Sequence, residues 1–201
     1  MTKTVEMLFD FVSPNAYLAW YPLQDILART GAALTITPAF LGGIMKLTGN
    51  QPPMVANAGI KGKNEYMMLE MQRFIAKHGL AQFAMNPHFP MMTITIQRML
   101  QQAVDEGRGA AFIDHVLPHV WERGVDISNH DAILAVLDGS EFDGAALLAG
   151  AAAADVKARL TTNTETAVAR GVFGLPTFFV GDEIYFGKDR LDGVEEALTA
   201  R

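Results

Sequence analysis

Ser13 stands directly after an alternating apolar run and directly before a helical one, in the stretch "DFVSPNAYLAW" over residues 10–20. A serine at such a joint has its hydroxyl among backbone N–H groups that no earlier helical turn satisfies, at the positive end of a helix dipole. That environment favours an anion. It also suits plain N-capping, for which Ser is a preferred residue, and on these residues alone capping is the simpler reading. A serine nucleophile would need a base, and none of the five histidines (His78, His88, His115, His119 and His130) is near it in sequence. His115 and His119 have the spacing of two metal ligands on one helix face but no evident third ligand, so they read as ordinary helix residues and no metal is expected. The chain has no cysteine, which excludes disulfides, thiolate metal sites and a protein thiol nucleophile. Any sulfur chemistry has to come with a ligand.

Two further stretches carry residues able to hold one. In "VFGLPTFFV" (172–180) Pro176 stands immediately before an apolar strand, where it cannot donate to a sheet ladder and signals a bend. The local pattern by itself favours a trans Leu175–Pro176 bond, the commoner form. In "GKDRLDGVEEAL" (187–198) Asp189, followed three residues on by Asp192, reads as a helix N-cap with an acidic first turn. A helix N-terminus accepts a carboxylate and an acid beside it holds an ammonium, so an amino-acid head group would fit both.

The elements that must position these residues change type along the chain. Val5, Met7, Phe9 and Phe11 alternate between Thr4 and Phe11, and Leu8 adds an apolar residue on the other face, as in a strand buried on both sides. With Ser13 as N-cap and Pro14 as the first helical residue, Leu18, Leu23, Ile26 and Leu27 recur at helical spacing up to the stop at Gly31. Pro22 inside that helix predicts a kink near Tyr21. A second strand over 34–40 completes a strand–helix–strand unit, whose crossover makes the two strands parallel. The glycines and paired prolines of "LGGIMKLTGNQPP" (41–53) predict an irregular loop. Helical segments follow at 62–78, 93–106, 110–122, 129–138 and 143–169. "LPTFFVGDEIYFG" (175–187) then gives two short apolar runs about Gly181 and Asp182, a hairpin signal, and Leu191, Val194 and Leu198 mark a closing helix. The expected architecture is an α/β layer made from residues 1–41 and 170–201, with an all-helical insertion over 42–169.

At 201 residues, 50% hydrophobic and 19% charged, the chain can bury a substantial core. Its net charge of -6 and scattered 16 Lys and Arg argue against a nucleic-acid partner, which would need a clustered basic face. No apolar run approaches the roughly 20 residues that span a bilayer, and the N-terminus lacks the pattern of a secretory signal. A cytoplasmic location without a membrane partner is expected.

A strand, a helix with a special residue in its first turn, a helical insert, a proline before a hairpin and a last helix is the layout of the thioredoxin-like fold in its DsbA-type form. Where such oxidoreductases keep Cys-x-x-Cys this chain has Ser13, Pro14, Asn15 and Ala16, so it cannot exchange disulfides. The blocks "DFVSPNAYLA", "LGGIMKLTGNQPP", "KNEYM", "GVFGLPTFFVGDE" and "FGKDRLD", in this order, resemble the 2-hydroxychromene-2-carboxylate isomerases and the related kappa-class glutathione transferases. The similarity runs from about residue 5 to 198 and is weak from about 75 to 168.

This resemblance implies glutathione as the cofactor, with its sulfur near Ser13. It implies that Leu175, before a cis Pro176, pairs its backbone with the cysteinyl part, and that Asp189 holds the γ-glutamyl ammonium with Lys188 near its carboxylate. Asn50 and Lys63 match positions that line the ligand, Lys61 being a rival for Lys63. The implied reaction is cis–trans isomerisation of a small aromatic hydroxy acid in aromatic hydrocarbon breakdown, by reversible thiolate addition. Conjugation of glutathione to an electrophile, or peroxide reduction, is the alternative. A homodimer is also implied. From a different class, a redox-silent thioredoxin-like binding module would use the groove beside Pro176 for extended peptides, but it needs neither an acid at 189 nor a polar group at 13.

Overall fold

The computed structural model of the chain describes residues 2–200. β1 (Thr4–Phe9) sends its two faces into two cores, as its apolar alternation plus Leu8 requires. Val5, Met7 and Phe9 enter the larger apolar cluster and Leu8 the smaller. Phe11, which the alternation had included in the strand, lies in the turn beyond it and is fully buried there. α1 (Pro14–Thr30) starts on Ser13, continues through Pro22, and ends at Gly31, whose φ of 66° is the left-handed cap a glycine adopts without strain.

β2 (Ala33–Pro38) pairs parallel with β1 on one side, and β3 (Thr177–Val180) pairs antiparallel with it on the other. β4 (Glu183–Phe186) closes the predicted hairpin on β3, giving the order β2-β1-β3-β4. The central register sets Leu8 opposite Thr177. The ends of two central strands therefore bring the Asp10–Ser13 turn beside Leu175 and Pro176.

The helices between the strands are α2 (Leu41–Thr48), α3 (Pro53–Ala56), α4 (Lys63–Lys77), α5 (Ile94–Asp105), α6 (Gly109–Trp121), α7 (His130–Leu137), α8 (Gly144–Gly150) and α9 (Ala154–Ala169); a 3-10 turn (Lys188–Arg190) and α10 (Leu191–Thr199) follow β4. None of the described helices is long and apolar enough to cross a membrane. Two expectations are corrected here. The stretch 41–53 is helical over Leu41–Thr48, because Gly42 and Gly43 serve as close-packing positions: a Cβ at Gly42 would stand 2.8 Å from the Phe40 ring and one at Gly43 3.0 Å from Thr164 Cγ2. The single helix expected over 143–169 is divided, because Gln102 intrudes. Its side chain donates to the Leu147 carbonyl at 2.9 Å and leaves no room for a Cβ at Gly150.

α5 and α6 put Met99, Phe112, Val116 and Trp121 into the same cluster as Val5, Phe9 and Trp20. Full burial of each large apolar side chain is worth about 1.5–3 kcal/mol. Polar ties run across the same contact. Trp121 Nε1 donates to the Phe11 carbonyl at 2.9 Å, Trp20 Nε1 to Asp114 at 2.6 Å, and the buried Gln97 amide to the Phe9 and Ala39 carbonyls at 2.7 and 2.8 Å. The helices thus brace the end of β1 from which the candidate site projects.

Candidate active site

Ser13 has the extended conformation of an N-cap, φ -84° and ψ 113°, and its Oγ accepts the Ala16 N–H at 3.3 Å. The same hydroxyl donates across the turn to the Leu175 carbonyl at 2.9 Å and is 3% exposed. It is a cap and a bridge at once. The first turn of α1 carries no acid, so its positive end is not neutralised from within the helix. An anion arriving there would compete with the Leu175 oxygen for the one Ser13 proton.

The Leu175–Pro176 bond is cis, and both residues are buried. The Pro176 carbonyl accepts the Gly187 N–H at 2.9 Å, while the Leu175 N–H has no hydrogen-bond partner among the described residues. A donor with nothing to bond, beside a proline that has left the ladder, is an edge on which an extended ligand can pair. Gly174 lets this segment pass close to β4, since a Cβ there would lie 2.8 Å from the Phe186 ring.

Asp10 was missed in the sequence. It is fully buried; its Oδ1 accepts the Val12 N–H at 3.1 Å and its Oδ2 the Leu41 N–H at 2.8 Å. Burial, the largest influence, lifts its carboxyl to about 6, against the Leu41 amide, the neighbouring Thr93 hydroxyl and the Val12 amide. The available signal was an acid set among Leu8, Phe9, Phe11 and Val12.

The other expected residues divide. Asn50 reaches the edge of the site, donating from Nδ2 to the Phe173 carbonyl at 2.7 Å. Lys61 and Lys63 are exposed, Lys63 as the first residue of α4, and neither makes an ion pair or hydrogen bond to Ser13, Leu175 or Pro176. Asp189 is not an N-cap. It lies within the 3-10 turn, and α10 begins after Arg190 without a side-chain cap. Lys188 is 5% exposed, pairs with the exposed Asp189 carboxylate, and holds its ammonium 4.6 Å from the Phe74 ring centre. This pair lines a cleft of about 210 Å³ along the later half of α1, with Asp25, Arg29, His78 and Asp192, and Ser13 is not among its walls.

A serine-capped helix facing a cis-proline segment, on a four-stranded mixed sheet, defines a thioredoxin-like protein in which a hydroxyl stands where the redox thiol would be. The family model of the DSBA-like thioredoxin domain matches residues 4–199, and the chain belongs to that family. A 2-hydroxychromene-2-carboxylate isomerase of Pseudomonas putida is 30% identical over 96% of this chain and 93% of its own length. Glutathione S-transferase kappa 1 of Rattus norvegicus is 28% identical over 94% of this chain and 88% of its own. Among solved structures, a 2-hydroxychromene-2-carboxylate isomerase superposes with a TM-score of 0.83 at 26% identity, covering 97% of this chain and 94% of that one. The family resemblance carried by the five sequence blocks and the DsbA-type thioredoxin-like fold read from the order of elements are borne out.

Proposed function

We propose that the chain is a glutathione-dependent isomerase of the 2-hydroxychromene-2-carboxylate type. One observation carries this: in a chain without cysteine, the Ser13 hydroxyl sits at the start of α1, 2.9 Å from the Leu175 oxygen and beside the open Leu175 N–H. These groups fit the cysteinyl part of glutathione. The Leu175 backbone pairs with it as one strand with another, and Ser13 turns its proton from the Leu175 oxygen to the bound sulfur. A hydroxyl donor and the helix dipole both favour the charged sulfur, lowering the pKa of the bound thiol. Asp189 takes the γ-glutamyl ammonium in exchange for Lys188, which then meets the adjoining carboxylate, and Asn50 and Lys63, with Lys61 as the rival, lie along the remainder. The chemistry that bound glutathione supplies is a thiolate whose reversible addition to a conjugated C=C turns it into a single bond, about which rotation and then elimination give the isomer and restore the thiol.

The relatives named kappa-class transferases support a second reading on the same site, in which the thioether product is released instead of collapsing back. A small electrophile as substrate, a homodimeric assembly and a cytoplasmic location belong to both readings. The deciding experiment follows 2-hydroxychromene-2-carboxylate with and without glutathione, beside conjugation of chlorodinitrobenzene. Glutathione-dependent isomerisation is expected; conjugation without isomerisation would replace it by the transferase. Absence of both, with no heat on titrating glutathione into the protein, would leave the binding module.

A further inference from the structure

Lys188 is buried to a degree that lysines reach only when they are paired. β4 leads into Gly187, whose φ of 87° and ψ of 164° only glycine takes without strain, and whose N–H donates to the Pro176 carbonyl at 2.9 Å. The chain turns there and sends the next side chain inward. Lys188 is 5% exposed, its stem packed and its ammonium 4.6 Å from the Phe74 ring centre. Its acid partner is placed differently, since the Asp189 side chain is 65% exposed. Among the described residues no other acid is within ion-pair distance of Lys188.

The other charges of the cleft along α1 leave Lys188 as its one buried cation. Arg29 is taken by Glu195 through two hydrogen bonds of 2.9 Å, Lys77 is exposed on α4, and Asp25 and Asp192 are exposed acids. His78, which burial and then the Lys77 charge hold below its ordinary pKa, brings no charge at neutral pH. The bond from Gly187 to Pro176, the neighbour of Leu175, sets this pair next to the segment on which the ligand is proposed to pair.

Burial makes the two charges unequal. Asp189 parted from Lys188 is hydrated by solvent at little cost, whereas Lys188 parted from any anion is a buried charge left unpaired, which is strongly unfavourable. A ligand ammonium arriving alone either shares Asp189 with Lys188, like charge beside like, or displaces Lys188 and strands it. A ligand carboxylate does neither, because an ammonium has three N–H donors and can turn to the new anion. We propose that Lys188 is a specificity-determining residue, which makes this end of the site select a free carboxylate on the ligand's head group and accept it with or without an ammonium beside it. The ligand class is then a cysteinyl thiol with an anionic head, of which glutathione is one member. Placing the head group here rests on the proposed glutathione reading.

Calorimetry with three thiols tests this: glutathione, glutaryl-cysteinyl-glycine, which lacks the γ-glutamyl ammonium, and 4-aminobutanoyl-cysteinyl-glycine, which lacks the carboxylate beside it. In the parent protein, loss of the ammonium is expected to weaken binding by no more than about threefold, as for an exposed ion pair, and loss of the carboxylate by roughly thirtyfold or more. In Lys188→Met, which keeps an apolar stem against Phe74, loss of the carboxylate is expected to cost no more than about threefold. Equal losses in the parent, or a carboxylate dependence that survives in Lys188→Met, overturn the proposal. Lys188→Gln replaces Lys188→Met in the same comparison if the latter does not fold. Should the parent bind none of the three thiols, the glutathione reading falls, and Lys188 is judged with glutarate and butylammonium by amide resonance shifts. Glutarate alone is expected to shift the amides of residues 187–190 to saturation in the parent and not in the variant. No response to glutarate, or an equal one to butylammonium, overturns the role of Lys188.

Discussion

The Ser13 hydroxyl has one proton and two lone pairs; one lone pair already takes the Ala16 N–H and the proton goes to Leu175. Capping survives ligand binding because it uses the oxygen, whereas the proton is free to change partner. Ser13→Ala is therefore expected to raise the pH midpoint of the bound thiol by about one to two units, the worth of one hydrogen bond to a charged group. Turnover at neutral pH falls about tenfold to a hundredfold while the glutathione dissociation constant changes little, measured by ultraviolet titration and calorimetry; an unmoved titration would remove the assigned role. Asp189→Ala is expected to act oppositely, weakening glutathione binding in the same calorimeter with the thiol midpoint unchanged. Asp10 makes a prediction without any ligand. Its carboxyl is lifted from 3.8 to about 6 by burial, so the folded protein holds that proton more tightly than the unfolded chain, and ionisation destabilises the fold. Stability should fall as pH rises from about 4 to about 6, by on the order of 3 kcal/mol from this group. Urea unfolding at several pH values should show that part of the slope missing in Asp10→Asn. Ser13 was readable as the cap between strand and helix because strand, cap and Pro14 are adjacent in sequence, and its proposed chemical role came from the resemblance. Asp10 was not, because its second partner is Leu41, which only the fold brings near.

Elements with a steady period were readable, and those shaped by a distant neighbour were not. β1, α1, the β3–β4 hairpin and α10 follow from alternation, caps and turn residues within each segment. In α2 the sequence shows two glycines that each cost about 0.5–1 kcal/mol in a helix, and nothing local offsets that. The offset is tertiary: Gly43 allows close approach to Thr164 of α9, and Ile44 goes fully into the smaller core. Asp189 failed as a cap for a related reason, since the buried Lys188 ammonium claims its carboxylate. Ile44→Ala is expected to destabilise the protein by about 2–4 kcal/mol, as a large-to-small change in a fully buried position. Because Ile44 and Leu175 share one cluster, amides of residues 172–175 should also exchange faster in this variant than the global loss explains. Protection that falls uniformly across the sheet would show that α2 supports the whole layer and not the site in particular.

The proposed division of the chain, 1–41 with 170–201 against 42–169, describes the order of elements, and a separate question is whether it also divides stability. The contacts point to one cooperative unit. Trp20 of α1 and Trp121 of α6 are both fully buried in the larger cluster, and each sends its indole N–H across the boundary, to Asp114 and to the Phe11 carbonyl. The Tyr17 hydroxyl crosses it too, donating to Glu122 at 2.9 Å, and burial together with that carboxylate pushes the phenol up from its ordinary value. Losing the helices would expose one face of β1 to water and leave the Gln97 contacts to the Phe9 and Ala39 carbonyls unmade. Single-tryptophan variants, Trp20→Phe and Trp121→Phe, give a fluorescence probe in each part, and both urea transitions are expected to coincide with loss of far-ultraviolet dichroism. An earlier transition seen by Trp121 alone would make 42–169 an independent folding unit, and the Ser13 site would then lose its brace well before the sheet that carries it.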